Sequence, residues 1–281
     1  MQLGGVFAAS ANSLKGPAQN VEFEEVCEKN INKLKSALER DDCVEVAKIK
    51  RALSNSGFSQ LCINVKMDPA IVCSKLVLVA AQYNDAHEIR SLVQHLDIET
   101  KLSKFNYRDQ RFDLGITSLH YTALGNMSAD RPNYSFAAAS EIKRLVYFDG
   151  DHRYWLELLS AQTPCKLQTP VHFAARLKHA ELLELFSSGL TSGEWKTVLS
   201  IRNQENSTPM HTHFRWECSR SKEQQKACIA ALRGPLTDVE WVDFLIEQDV
   251  LKELSNDANF QQIVDGISDS ESIKRLVEKR G

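Results

Sequence analysis

Four side chains with zinc-binding chemistry lie close together in the chain: His211, His213, Cys218 and Cys228, imidazoles and thiols of the kind that ligate that ion. Their spacing matches no established metal motif, and intervals of two and five along a helix do not put both imidazoles and Cys218 on one face. No metal site is assigned to them. A second pairing, Cys165 with His172, offers a thiol just ahead of a helix start, where thiolate is favoured, and an imidazole that could serve as its base. No third group to orient that imidazole is evident, so Cys165 reads as a half-buried structural cysteine and no catalytic residue is assigned. The adjacent acids Asp41 and Asp42 stand at a break in a helical pattern, the place of turn and cap residues rather than of an acid–base pair. The signatures GxxxxGK[ST], GxGxxG, HExxH and GxSxG are absent, so the commonest nucleotide, metal and hydrolase chemistries have no foothold, and no cofactor is called for.

The elements that must carry these residues are helix pairs in register. Four segments line up: KLVLVAA (75–81), TSLHYTA (117–123), TPVHFAA (169–175) and TPMHTHF (208–214). Each precedes an apolar run at helical spacing, HEIRSLVQHL (87–96), SEIKRLVYF (140–148), AELLELFSSGL (180–190) and QQKACIAAL (224–232). A second series follows these pairs: GDHRYWLELL, LTSGEWKTVL and LTDVEWVDFL place Trp155, Trp195 and Trp241 at one position. Thr191 with Glu194, and Thr237 with Glu240, have capping-box spacing, which predicts a short extra helix in the connector. Recurrence in register makes the tryptophans packing residues rather than ligand-stacking ones. The units begin at 75, 117, 169 and 208, too irregular to lack insertions, and the largest insertion lies at 124–139.

Within 169–199, Thr169, Pro170, His172, Ala174 and Ala175 are predicted to open a first helix, Lys178 and His179 to form the turn, and Leu182, Leu183, Leu185 and Phe186 to form the buried side of a second. Residues 259–265 and 270–277 read as a closing unit whose Gln261, Gln262, Asp265, Asp269, Glu271, Lys274 and Arg275 give it a polar outer face. Upstream, 22–53 reads as a helical hairpin broken at Asp41-Asp42. The chain thus divides into a mobile tail (1–20), a helical N-terminal capping region (21–68) and about five units with insertions (69–281).

Composition narrows the function classes. Apolar residues at 43% and charged residues at 25% are those of a soluble globular protein, and 12 Gly with 7 Pro are few enough to favour helices. A formal charge of −3 without a long basic run offers no footprint for nucleic acid. No stretch approaches the roughly 20 apolar residues of a membrane span. Seven cysteines, an odd number without a CxxC pair, fit a reducing compartment, and the start MQLGGVFAASANSLKGPAQN lacks a basic leader, so a cytoplasmic location is expected.

TPVHFAARLKHAELLELFSSGL (169–190) resembles the ankyrin repeat, a Thr-Pro-Leu-His-x-Ala-Ala helix, a short turn and a second apolar helix. VLSIRNQENSTPMH (198–211) adds Asn203, Asn206, Thr208, Pro209 and His211 where that family has Asp or Asn, Gly, Thr, Pro and His. The resemblance covers about 70–281 and implies an all-α, ankyrin-like helical-repeat solenoid with extra connector helices, finger turns between units and Asn206 in the left-handed region. Departures are Lys75, Leu76 and Leu78 for Thr, Pro and His in the first unit, the absence of Gly from 160–168, and His213 and Phe214 for the alanine pair, which should push helices apart or turn outward. The insertion-rich style also resembles the arrays that intracellular bacteria send into host cells, which would make the chain an effector in a host cytosol.

The function so implied is a protein–protein interaction module binding through its concave face and finger loops. The unspecified positions just after the alanine pair hold Gln82-Tyr83, Arg176-Leu177 and Arg215-Trp216, and Tyr, Arg and Trp are the residues interfaces favour, so Tyr83, Arg176, Arg215 and Trp216 are the candidate partner-binding residues. Trp216 has an alternative role in shielding loosened packing at His213-Phe214. The alternative function is an enzyme with its site in the insertions at 103–115, 124–139 or 215–224.

Overall fold

The computed structural model of the protein describes residues 69–108, 115–124, 136–147, 150–216, 221–254 and 257–280, together with a few helical residues between 32 and 49. The expected tail at 1–20, most of the capping region at 21–68, Asp41-Asp42 and Cys218 lie outside the described residues. The chain divides into two compact units, Met1–Val72 and Cys73–Gly281. Of the first, Leu34, Ala37 and Ile49 are buried apolar residues.

The second unit is all-helical among the described residues. Its elements are α1 (Pro69–Gln82), which begins before the unit boundary, α2 (Ala86–Val93), α3 (Ile98–Phe105), α4 (Ser118–Leu124), α5 (Phe136–Val146), α6 (Arg153–Ser160) and α7 (Pro170–Leu177). They continue through α8 (Ala180–Ser187), α9 (Ser192–Leu199), α10 (Pro209–Arg215), α11 (Lys222–Arg233), α12 (Asp238–Glu247), a 3-10 helix (Val250–Glu253), α13 (Asp257–Val264) and α14 (Ser270–Arg280). Most are one to two turns long, too short to persist in water alone, so their starts are fixed by side-chain caps and their faces by neighbours.

Packing follows three rows. α4, α7, α10 and the 3-10 helix lie side by side in sequence order, as do α2, α5, α8, α11 and α13, and α3, α6 and α9 form the third row. α12 packs on α14 and the 3-10 helix. The connectors' tryptophans seal the rows: Trp155 and Trp195 are fully buried, and their indole N–H groups donate to Phe186 O (3.1 Å) and Leu232 O (2.8 Å) at the ends of α8 and α11. Thr191–Glu194 and Thr237–Glu240 form the two capping boxes that start α9 and α12.

Residues 169–199 fold as two helices and a connector, with Lys178 in the left-handed region (φ 57°) ending α7. Leu182, Leu183 and Phe186 are buried, whereas Leu185 is only half-buried, because it sits at the edge of the stripe that α8 turns inward. α1 starts at Pro69, so segment 75–81 lies inside a helix rather than at a helix start. α3 has no counterpart in the repeat pattern; Asp97 caps it, accepting from Thr100 N at 2.9 Å. On the closing helices Gln262 is buried and so does not belong to the polar outer face expected there, while Gln261, Asp265, Glu271 and Lys274 are exposed or half-buried. No helix of the described residues is long and apolar enough to cross a membrane.

Candidate functional site

A threonine and a histidine fix the start of each of α4, α7 and α10. Thr169 N–H donates to His172 Nδ1 (3.2 Å), and Thr169 Oγ1 accepts from His172 N–H (3.4 Å). Because Nδ1 accepts from a backbone amide, the ring is the neutral tautomer with its proton on Nε2, and that proton goes to Ser207 O (3.0 Å). His120 repeats the arrangement, taking Thr117 N–H at Nδ1 (3.3 Å) and giving Nε2–H to Gln168 O (2.9 Å). Burial pushes both rings down to about 4, so neither carries charge at neutral pH. Thr208 N–H donates to His211 Nδ1 (3.2 Å) in the same way.

Each onward bond ends on the last residue of a turn. In the first turn Thr163 N–H donates to Gln168 O and Leu167 N–H to Thr163 O, both at 2.9 Å, with Leu167 at φ 51°. In the second, Asn203 N–H donates to Ser207 O (2.9 Å), while Asn203 Oδ1 accepts from Glu205 N–H (2.9 Å) and Ser207 N–H (3.0 Å). Asn206 takes the left-handed conformation, φ 58°, as its side chain allows. Gln204 N–H donates to Lys166 O (2.9 Å), which ties the two turns together.

A cavity of about 210 Å³ opens between these turns and the C-terminal ends of α7 and α10. The turns contribute Lys166, Gln168, Asn203, Glu205 and Ser207, and the helix ends contribute Arg176, Thr212, Arg215 and Trp216. The Arg176 guanidinium lies 3.7 Å from the centroid of the Trp216 ring, a face-on cation–π stack. Its Nε is buried without an acceptor, and desolvation pulls its pKa down. Arg215 is already held: Nε and Nη2 clasp the two oxygens of Glu253, and Nη1 donates to Ser207 Oγ. The hydrogen bonds from Arg215 hold the Glu253 carboxyl below its usual range.

Three of the four residues selected from the sequence, Arg176, Arg215 and Trp216, therefore meet at one cavity. Tyr83 does not line it; it stands 46% exposed just beyond α1. Trp216, also 46% exposed, covers Arg176. Lys166, Gln168, Glu205 and Glu253 carry no interface signature in the sequence, and the turn at 160–168, lacking its Gly, is the signal that points nearest to them.

The other pairings resolve structurally. His213 is buried, its Nδ1 lies 3.3 Å from Cys228 Sγ, and burial pushes its ring down to about 3. Phe214 is half-buried edge-on to His213, and α10 and α11 do not approach as closely as α7 and α8. His211 spends its Nδ1 on Thr208. Cys165 is exposed rather than half-buried, because it lies in the turn, and His172 has no lone pair left to act as its base. A larger cavity of about 430 Å³ lies between α11 and α13, with Lys226 and Asp265 paired at 2.6 Å on its wall and buried Gln262 Oε1 without a donor. Compared with known protein families, characterised proteins and solved structures, the chain matches none of them.

Proposed function

We propose that residues 69–281 are a divergent ankyrin-like helical-repeat solenoid that binds a protein partner through its finger turns and the ends of its first helices. The Thr-Pro and Thr–His caps, the left-handed Asn206 and the row-wise packing of α4, α7 and α10 support the repeat reading. The observation that carries the binding reading is the Arg176–Trp216 stack. An exposed tryptophan lies over a guanidinium whose Nε has no acceptor, beside a cavity at the finger turns. The charge of a partly desolvated guanidinium can be compensated by a partner at its terminal nitrogens, and Arg and Trp are the side chains in which interfaces concentrate their energy.

Replacing Tyr83, Arg176, Arg215 and Trp216 together by alanine is expected to abolish capture of a protein partner from cell lysate while the far-ultraviolet circular dichroism stays unchanged. Undiminished capture would remove this surface from consideration.

A further inference from the structure

Building on that reading, we infer that the cavity between the turns 163–168 and 203–207 receives one side-chain carboxylate, an Asp or Glu, from the protein partner.

Charge sets the class of ligand. The groups lining the cavity or clasped at its edge are Lys166, Arg176 and Arg215 against Glu205 and Glu253, which leaves a single excess positive charge, 3 − 2 = 1. Arg215 is neutralised by its two-point contact with Glu253, so the excess is shared by Lys166 and Arg176 against Glu205. One negative charge balances it. A dianionic phosphate would bring surplus negative charge next to Glu205, whose field already reaches Arg176 and opposes the effect of burial on it.

Geometry sets the size. Because Nε of Arg176 is sealed from solvent, compensation must reach the guanidinium at its terminal nitrogens, and a carboxylate can engage two of those at once. The 210 Å³ of the cavity is below the roughly 300–1,000 Å³ typical of small-molecule and cofactor sites, and holds one side chain or about seven waters. A lone carboxylate in such a shallow site binds weakly. Beside it, however, Trp216 and Leu167 are 46% and 41% exposed, apolar surface on which the residues flanking an acid could lie. The occupant is therefore an acidic residue inside an apolar stretch of polypeptide, not a free metabolite.

The test follows the Arg176 Nε–H and Trp216 indole N–H resonances of the full-length ¹⁵N-labelled protein during titration with four probes: N-acetylglutamate amide, N-acetylglutamine amide, N-acetylalanine with its terminal carboxylate free, and inorganic phosphate. The glutamate probe should shift both signals saturably and bind at least about tenfold more tightly than the glutamine probe, the margin a charge-assisted two-point contact gives over a neutral one, and more tightly than the terminal carboxylate or phosphate. Arg176→Lys should weaken that binding about tenfold as read at Trp216, since an ammonium cannot make the planar two-point contact. Glu205→Gln should tighten it by removing the opposing charge. A response to the glutamine probe equal to that of glutamate, a preference for phosphate or for the terminal carboxylate, or no saturable shift would each overturn the inference. Its failure is distinguishable from failure of the binding reading, because the fourfold alanine variant tests partner capture without reference to any carboxylate.

Discussion

The turn at 163–168 with α7 and α8, and the turn at 203–207 with α10 and α11, share one frame and fill it differently. Both helices start with a Thr-Pro cap closed by a histidine, and both turns carry a non-glycine residue in the left-handed region just before their last residue. In the first, Ala174 and Ala175 let α7 and α8 meet, Leu167 takes the strained conformation, and His172 bonds onward to Ser207. In the second, His213 and Phe214 replace the alanines, Asn206 takes the turn, and the ring of His211 lies among the charges of Glu253, Arg202, Arg215 and Asp249. The caps are the constant part, and the cavity arises where the contents diverge.

The largest expected consequence of the difference is in acid. His120 and His172 have folded-state pKa values of about 4 against an ordinary 6.5, so the unfolded chain takes up protons first as pH falls. Their stabilisation is complete above about pH 6.5 and is lost between there and pH 4. The loss is about 3 kcal/mol for each ring, because a pKa lower by one in the folded state corresponds to about 1.4 kcal/mol. Glu141, held at about 2 chiefly by its hydrogen bond from Arg90, contributes above the ordinary carboxylate range and loses its contribution only as pH falls from there toward 2, so the histidines dominate the window above it. Urea unfolding between pH 7 and pH 4.5 should therefore show stability falling with pH, and His172→Gln should flatten the slope by about 1.4 kcal/mol per pH unit. His211→Gln should flatten it less, since that ring is less completely buried and the charges around it, Glu253 and Asp249 against Arg202 and Arg215, oppose one another. Equal slopes for the two variants would erase the distinction drawn between the two caps.

Next in size is the helix contact. Ala175 of α7 is fully buried, and Ala175→Phe forces a ring into filled space, an overpacking expected to cost about 3 kcal/mol. The reverse change, Phe214→Ala, removes a half-buried ring from helices already apart and should cost about 1–2 kcal/mol, less than the roughly 3–5 of a fully buried phenylalanine. Denaturant midpoints at neutral pH separate the two, and a Phe214→Ala loss equal to that of Ala175→Phe would mean that both junctions are equally tight.

How much of this was legible in the sequence depended on how local each device is. Caps are legible because Thr, Pro and His act on backbone groups within three residues of themselves, and the same holds for Thr191–Glu194 and Thr237–Glu240. The burial of Trp155, Trp195 and Trp241 could be read from their recurrence. The Arg215–Glu253 clasp joins residues 38 apart, and nothing local marks Glu253 as the partner. Arg176 and Trp216 could be chosen as interface-type residues in register, but their stacking depends on Trp216 leaving α10 in an extended conformation, which no local residue pattern marks. Tyr83 satisfied the same register argument and does not line the cavity, which is built by the ends of α7 and α10 and the turns before them. The helix α3 is hard to see in the sequence because its apolar positions are few and its main signal is the single cap Asp97.

The smallest effect separates the two turns themselves. Leu167 holds φ 51° with 41% of its surface exposed, so its side chain returns little packing energy for a backbone conformation that costs an ordinary residue about 1–2 kcal/mol. Glycine removes that strain but is freer in the unfolded chain by about 0.5–1 kcal/mol, so Leu167→Gly should stabilise the fold by only about 0.5 kcal/mol. Asn206 sits at φ 58° with a side chain that tolerates the region, and Asn206→Gly should therefore change stability by no more than a few tenths of a kcal/mol. A destabilising Leu167→Gly would show that the leucine packs within the folded chain. If it instead stabilises the fold and at the same time weakens partner capture, the strain at Leu167 is retained for the apolar surface it presents beside Trp216, and the turn without a glycine is the one shaped by binding.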